Sequence, residues 1–262
     1  MWPGIAATAK NPAQKDSMPF PFRSGPGALL RRLVLAACLP LALVGESFSQ
    51  QFDPADYGDV ALHLKANELG QVNGTEVTEW GPLGAGGSST PTYIASDARF
   101  NDMPVVRFDG VNDVMKRSGA NLTARTILAV VALEEDAGNL AGLISNGSDG
   151  LNVRRGDSSN RYRSPGFNMD GNDFVGNGSP GQLHVNQVAT GTYGYGQPHL
   201  VMAVASSEKI YGNFWIGSAS SSLGRYWNGS IAEVLIYEGV LSPEGLERVG
   251  WYLQKKYDLP TD

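Results

Sequence analysis

Short apolar segments recur along the chain from Asp59 onward, and polar residues alternate with apolar ones in several of them. Each segment has the length of a β-strand rather than of a helix. The segments cover residues 60–65, 105–108, 126–133, 140–144, 199–204, 214–217 and 231–237. Between them, Asn-Gly or Asp-Gly pairs such as Asn73-Gly74 and Asn228-Gly229 supply residues that accept the positive φ of tight turns. This pattern predicts an all-β, antiparallel sandwich of two sheets.

One helix is predicted near the C-terminus. Ser242 can cap its N-terminus, with Pro243 in the first helical position. The apolar residues that follow are spaced by three or four and share one face: Leu246, Val249, Leu253 and Tyr257. A single helix lying against the sandwich is therefore expected.

The N-terminal residues have the pattern of a secretory signal. Arg31 and Arg32 precede the apolar run 33–44, and a small-x-small cleavage site, Ser47-Phe48-Ser49, follows it. The run is shorter than the roughly 20 residues of a membrane-spanning helix. We expect cleavage after Ser49, which leaves 1–49 as extension and signal and 50–262 as one domain of a secreted, extracellular or periplasmic protein. Cys38 leaves open the alternative of a lipoprotein box, and Met18 is an alternative start.

The charge and cysteine content exclude several classes of function. The chain has a formal net charge of −6, and loss of residues 1–49 removes five basic and two acidic residues, which leaves −9. Such a surface disfavours nucleic acid and suits calcium. Because Cys38 is the only cysteine, the predicted mature chain has no disulfide, no cysteine nucleophile and no cysteine ligand for zinc.

Motifs near both ends resemble the bacterial LamG-like domains of the concanavalin A-like lectin/glucanase superfamily. The similar stretches are 62–67, where the family tends to have Trp in place of His63, then 77–80, 91–93, 103–113, 226–237, 241–242 and 251–257. The resemblance spans about residues 58–259. It implies a two-sheet jelly roll whose first and last strands are neighbours. Lectins, adhesion modules, lyases and hydrolases share this fold, so the resemblance does not identify one activity.

The resemblance also implies a structural calcium ion, because family members often carry one where an early Asp-Gly loop meets the last strand. Here that loop points to Asp109, Asn112 and Asp113, together with Glu233 of the last predicted strand. All four supply hard oxygen donors. The alternative is that Asp109-Gly110 simply forms a turn.

The carboxylate pattern of the superfamily's glucanases is missing. Those enzymes place acidic residues on one strand face as Glu-x-Asp-x-x-Glu. Here the acidic residues 134–136 are contiguous, and Glu233 and Glu238 are five apart, so neither set shares a strand face. A hydrolase of that mechanism is not expected.

A second enzymatic alternative is a polysaccharide lyase. Gln182 and His184 are similar to the Gln-x-His element of alginate lyases with this fold, and Tyr193 or Tyr195 would act as the base. The Arg-rich and Tyr-Lys-containing strands of those lyases are missing. Convergence of the four side chains on one concave sheet would favour this alternative.

Carbohydrate binding needs exposed aromatic faces with polar groups nearby. The loop-rich middle of the chain offers such residues: Arg161, Tyr162, Arg163, Phe167, Asn172, Tyr193 and Tyr195. Trp80, Phe108, Trp227 and Trp251 lie in the fold-defining motifs and are expected in the core. The sequence thus favours a secreted, non-enzymatic module that binds carbohydrate or a cell-surface ligand, with a structural envelope module as a further alternative.

Overall fold

The computed structural model describes residues 52–134, 140–148, 150–155, 166–167, 169–175, 181–186, 193–220, 222 and 224–260. The predicted signal, its cleavage site and Cys38 lie outside these residues and remain predictions. Within the described part of the chain, no helix is long and apolar enough to cross a membrane.

The structure is dominated by β-strands, which confirms the predicted all-β class. The strands are β1 Val60–Lys65, β2 Glu79–Trp80, β3 Leu83–Ala85, β4 Thr92–Asp97, β5 Met103–Asp109, β6 Met115–Leu133, β7 Gly142–Ser145, β8 Val153–Arg155, β9 Gly166–Phe167, β10 Met169–Asp170, β11 Gln182–Val185, β12 Tyr193–Gly194, β13 Pro198–Ile216 and β14 Asn228–Tyr237. The α-helices are α1 Asn172–Val175 and α2 Pro243–Tyr257. Short 3₁₀ helices cover Pro54–Tyr57, Ala66–Glu68 and Ala98–Phe100.

Twelve of these strands form one hydrogen-bonded sheet with the order β10-β8-β7-β13-β6-β14-β5-β4. Strand β1 pairs with β14, β11 with β13, and the β2–β3 hairpin with β6, while β9 and β12 form a separate pair. All of the strand pairs are antiparallel, as predicted.

Strands β6 and β13 are longer than the sequence pattern indicated. Each has 19 residues, and the two pair with each other from Pro198 opposite Ala132 to Ile216 opposite Met115. The separately predicted segments 199–204 and 214–217 are therefore parts of one strand. The two segments looked separate in the sequence because polar residues lie between them. In the structure these polar residues lie where the β13–β6 register shifts, between Val204 and Lys209.

The first and last strands are neighbours, as the resemblance implied. In the β1–β14 pair, Val60 lies opposite Tyr237 and Lys65 lies opposite Glu233. Strand β14 also pairs with β5 and along most of its length with β6. The last strand thus lies at the centre of the sheet.

Alternate residues of the central strands enter two apolar cores. In β6, Ile127 and Ala129 belong to an inner core, while Leu128 and Val130 belong to a core that α2 covers. We call the second the helix-side core. It contains Phe100, Val105, Leu128, Val130, Ala132, Leu200, Met202, Ala232, Leu235, Tyr237, Leu241, Val249, Leu253, Tyr257 and Leu259.

The C-terminal helix agrees closely with the prediction. The Ser242 hydroxyl accepts a hydrogen bond from the backbone N–H of Gly245, and Pro243 is the first helical residue. Val249, Leu253 and Tyr257 are fully buried in the helix-side core. Trp80, Phe108 and Trp227 are buried as expected, but the placement of Trp251 in the core was wrong, because this side chain lies on the solvent face of α2 and is 57% exposed.

Candidate functional site

The candidate calcium loop follows β5 and is closed by its own carboxylates. Oδ1 of Asp109 accepts hydrogen bonds from the backbone N–H groups of Val111 (2.8 Å) and Asn112 (3.2 Å), which is an Asx turn. Gly110 has a φ of 75° in this turn, a conformation that favours glycine. Oδ2 of Asp113 accepts from the backbone N–H of Asp109 at 2.9 Å. The turn therefore brings the two aspartates together.

A second loop packs against this turn and adds further oxygen atoms. The Ser89 hydroxyl contacts both Oδ1 of Asn112 and Oδ1 of Asp113, and Nδ2 of Asn112 donates to Oγ of Ser88 at 2.8 Å. A Cβ on Gly87 would lie 1.9 Å from the backbone oxygen of Asn112, so glycine permits the close approach. Because a hydroxyl carries one hydrogen, Ser89 can donate to only one of the two oxygens it contacts.

The electrostatics of the loop favour an added cation. Asp113 is only 4% exposed, and burial raises the pKa of its carboxyl group. The negative charge of Asp109 raises it further, while the hydrogen bonds from Ser89 and from the Asp109 backbone act in the opposite direction. Within the described residues, no Lys or Arg forms an ion pair with either aspartate.

A metal-free arrangement of the same loop also satisfies its hydrogen bonds. If the Asn112 amide is turned by 180°, Nδ2 donates to Ser89, Ser89 donates to Asp113, and Ser88 donates to Oδ1 of Asn112. In the described part of the chain, no group of three or more His, Cys, Asp or Glu side chains is placed to hold a metal. Calcium here would therefore depend on amide and hydroxyl oxygens beside the two carboxylates.

Glu233, the fourth predicted calcium ligand, does not lie in this loop. Asp109 is opposite Asn228 in the β5–β14 pair, whereas Glu233 is five residues further along β14, roughly 17 Å away along the strand. The register of β14 against β6 shifts at Ala232, between Ile231 and Glu233. This bulge places both Ala232 and Glu233 on the side of the sheet that α2 covers.

Both carboxylate oxygens of Glu233 contact polar side chains of the protein. Oε1 is 2.6 Å from Nε2 of His63, and Oε2 accepts from Nζ of Lys256 (2.6 Å) and from the hydroxyl of Tyr257 (2.8 Å). Burial opposes ionisation, but His63, Lys256 and Tyr257 together outweigh it and hold the pKa of Glu233 below its usual value. The cluster fastens α2 to β14 and β1. The sequence analysis did not predict this cluster, although His63, at a position where LamG-like domains tend to have Trp, was a signal.

Most of the predicted ligand-binding side chains of the middle region lie outside the described part of the structure. Arg161, Tyr162 and Arg163 lie outside the described residues. The backbones of Phe167 in β9 and Asn172 in α1 are described, but their side chains are not. Their part in carbohydrate binding therefore remains a prediction.

Tyr193 lies inside the molecule rather than on its surface. It is 9% exposed and makes an edge contact with the ring of His199, with 5.6 Å between ring centroids. Nε2 of His199 is 2.9 Å from the backbone oxygen of Gly194, and Nδ1 is 3.1 Å from Nδ2 of Asn186. These contacts are satisfied when Nε2 carries the ring hydrogen and donates, and Nδ1 accepts. Tyr193 thus packs against the inner core and offers no open aromatic face.

Tyr195 is held by an arginine. Nη2 of Arg155 donates to the Tyr195 hydroxyl at 2.8 Å, and the guanidinium carbon lies 5.7 Å from the ring centroid. Arg155 itself is only 5% exposed. The pair therefore forms a cation–π contact inside the domain.

The four residues of the lyase alternative do not share one sheet face. His184 is opposite Met202, which belongs to the helix-side core, and Gln182 is hydrogen-bonded to His184 at 3.2 Å on that same face. Tyr193 and Tyr195 pack against the inner core instead. The convergence that this alternative required is not found.

The chain matches no model of a known protein family and no curated protein.

Proposed function

We propose that residues 50–262 form a secreted, non-enzymatic binding module that recognises carbohydrate or an extracellular surface and is stabilised by calcium at Asp109, Asn112 and Asp113. In this proposal the β-rich domain is a LamG-like jelly roll of the concanavalin A-like type. The observation that carries the calcium part of the proposal is the loop pair around Ser89. There the Asp113 carboxylate meets an amide oxygen and a hydroxyl, beside the negative charge of Asp109 and without a described cationic side chain. Oxygen ligands of this kind are those that calcium prefers.

The split of the lyase residues supports the non-enzymatic part of the proposal. Gln182 and His184 lie on the helix side of the large sheet, whereas Tyr193 packs into the inner core, so they do not form one catalytic centre. The spacing of the acidic residues in the sequence likewise lacks the glucanase pattern. Binding without turnover is the activity that these arrangements favour.

A glycan-array screen of residues 50–262, with calcium and with chelator, tests this function. Reducing-end release and unsaturated products are followed on the same polysaccharides. We expect binding that weakens in chelator and no turnover. Turnover would instead show that the protein is an enzyme. The absence of both binding and turnover would favour a structural module.

The calcium site is tested separately by thermal unfolding of the wild type and of Asp109→Ala. An ion present at about 100 times its dissociation constant stabilises the folded state by about 2.7 kcal/mol. We expect the substitution to abolish the calcium-dependent rise in melting temperature. Equal losses with calcium and with chelator would show that Asp109 serves only the turn.

A further inference from the structure

The most exposed tryptophan of the described residues lies on α2. Trp251 is 57% exposed, whereas Trp80 is 1% and Trp227 is 0% exposed. Burial of a Trp side chain is a large source of free energy in binding as well as in folding. Trp251 contributes little to the fold, so its indole remains available for a ligand.

The helix that carries Trp251 is firmly attached. On its buried face Val249, Leu253 and Tyr257 enter the helix-side core, and Lys256 and Tyr257 hydrogen-bond to Glu233. The indole is therefore presented on a rigid element, which lowers the entropic cost of binding.

Polar side chains of both signs surround the indole. Glu244, Glu247, Arg248 and Trp251 lie along one exposed face of α2 and border an open, shallow concavity of about 470 Å³. Nη2 of Arg248 lies 3.7 Å from Oε1 of Glu244. The carboxylates accept hydrogen bonds and the guanidinium donates them, so the concavity offers an apolar surface beside hydrogen-bonding groups of both kinds.

We infer that this concavity is a binding subsite for a neutral pyranose chain, stacked on Trp251 and held through its hydroxyls by Glu247 and Arg248. The inference rests on the proposed function and gives it a ligand class and a place. Two carboxylates disfavour an anionic polysaccharide. The guanidinium beside Glu244 disfavours a basic peptide, whereas a neutral ligand with donors and acceptors matches both signs.

The test is a fluorescence titration of residues 50–262 with neutral hexaoses of glucose, xylose and mannose. Stacking changes the environment of the exposed indole, so we expect saturable quenching or a shift of Trp emission with at least one of them. Trp251→Ala should weaken binding by at least tenfold when measured calorimetrically, and Trp251→Phe should retain part of it. Ile210→Ala, which truncates a 58% exposed side chain outside the concavity, serves as the control.

Three results would overturn the inference. Glycan binding that Trp251→Ala leaves unchanged would place the ligand elsewhere, while the proposed function stands. Binding of anionic glycans alone would exclude the neutral class. Self-association lost in Trp251→Ala, seen by sedimentation equilibrium in a chain that binds no array glycan, would make the concavity an interface between copies and would also end the proposed function.

Discussion

Glu233 and Asp113 are both buried carboxylates, 1% and 4% exposed, but their surroundings differ. Around Glu233 the neighbours are Lys256, His63 and the Tyr257 hydroxyl, and the pKa is lowered despite burial. Around Asp113 they are neutral donors and the negative Asp109, and the pKa is raised by burial first and by that charge second.

The difference shows that a buried carboxylate can either attach a helix through an internal ion pair or leave a negative charge that an added ion would balance. The charge of Glu233 is neutralised within the protein, so it contributes to attachment of α2 without an added ion. The charge of Asp113 has no described cationic partner, so its loop gains stability from a proton or a metal ion. Burial of a carboxylate alone therefore does not identify a metal ligand, and the charges around it decide.

The largest expected effect comes from removing the cation beside Glu233. Lys256→Met leaves the buried carboxylate with His63 and Tyr257 alone, and loss of one partner of a buried pair costs about 3–5 kcal/mol. Urea unfolding measures the change. Lys255→Met is the matched control, since it removes the same charge from an exposed site on the same turn and should cost no more than about 0.5 kcal/mol. Equal losses in both variants would contradict the comparison.

Neutralising Asp113 should give a result that depends on the medium. Asp113→Asn removes a buried negative charge, so in chelator its unfolding free energy should equal or exceed that of the wild type at neutral pH. In calcium the wild type should be the more stable, by up to about 2.7 kcal/mol at an ion concentration near 100 times the dissociation constant. Thermal unfolding in both media measures this reversal. A variant that is less stable by the same amount in both would show that the loop closes through hydrogen bonds alone.

Loss of His63 should have a smaller effect than loss of Lys256. His63→Leu removes the group next to Oε1 of Glu233, and a hydrogen bond to a charged group contributes about 1.5–3 kcal/mol. Denaturant unfolding measures the loss, and a double-mutant cycle with Glu233→Gln isolates the pair. His184→Leu, which removes a half-buried histidine of β11 outside the cluster, is the control. A cycle with no coupling energy would remove His63 from the cluster.

The smallest effect is in the pH dependence of stability, where the two carboxylates act with opposite signs. Because the folded pKa of Glu233 lies below its usual 4.5, its contribution is complete above about pH 4.5 and is lost on further acidification. Because the folded pKa of Asp113 lies above 3.8, its contribution is complete below that pH and is lost as the pH rises.

Urea unfolding in chelator between about pH 3 and pH 7 separates these contributions. We expect Glu233→Gln to flatten the loss of stability in acid and Asp113→Asn to steepen it. Changes of the same sign in both variants would contradict the assignment of opposite environments.

Much of the fold follows from local sequence patterns. Short apolar runs, some of them alternating with polar residues, located parts of β1, β5, β6, β13 and β14, because each of these strands buries several apolar side chains. The helix was located by its cap and by spacings of three and four. Short strands such as β2 and β3 carry two or three residues each, which is too few to show a period.

The candidate sites were less predictable, because they depend on contacts between distant parts of the chain. Asp109 and Asp113 are close in sequence and were found together, but Ser89 joins them only through packing of a second loop. The resemblance placed Glu233 at the calcium loop, whereas it lies five residues along β14 from Asn228, the residue opposite Asp109. Trp251 is two residues from both Val249 and Leu253, about 200° around the helix, so the predicted apolar face already turned it outward; only its place in a fold-defining motif suggested burial.

The antiparallel pairing of β1 with β14 has a mechanical consequence. The start of β1, at Val60, lies opposite the end of β14, at Tyr237. A force that pulls the two chain ends apart therefore loads this pair from one end, once α2 has come away. The backbone hydrogen bonds, which run across the strands, would then break one after another and would not share the load. The domain should yield to tension at low force, although the same strand pair lies next to the centre of its sheet.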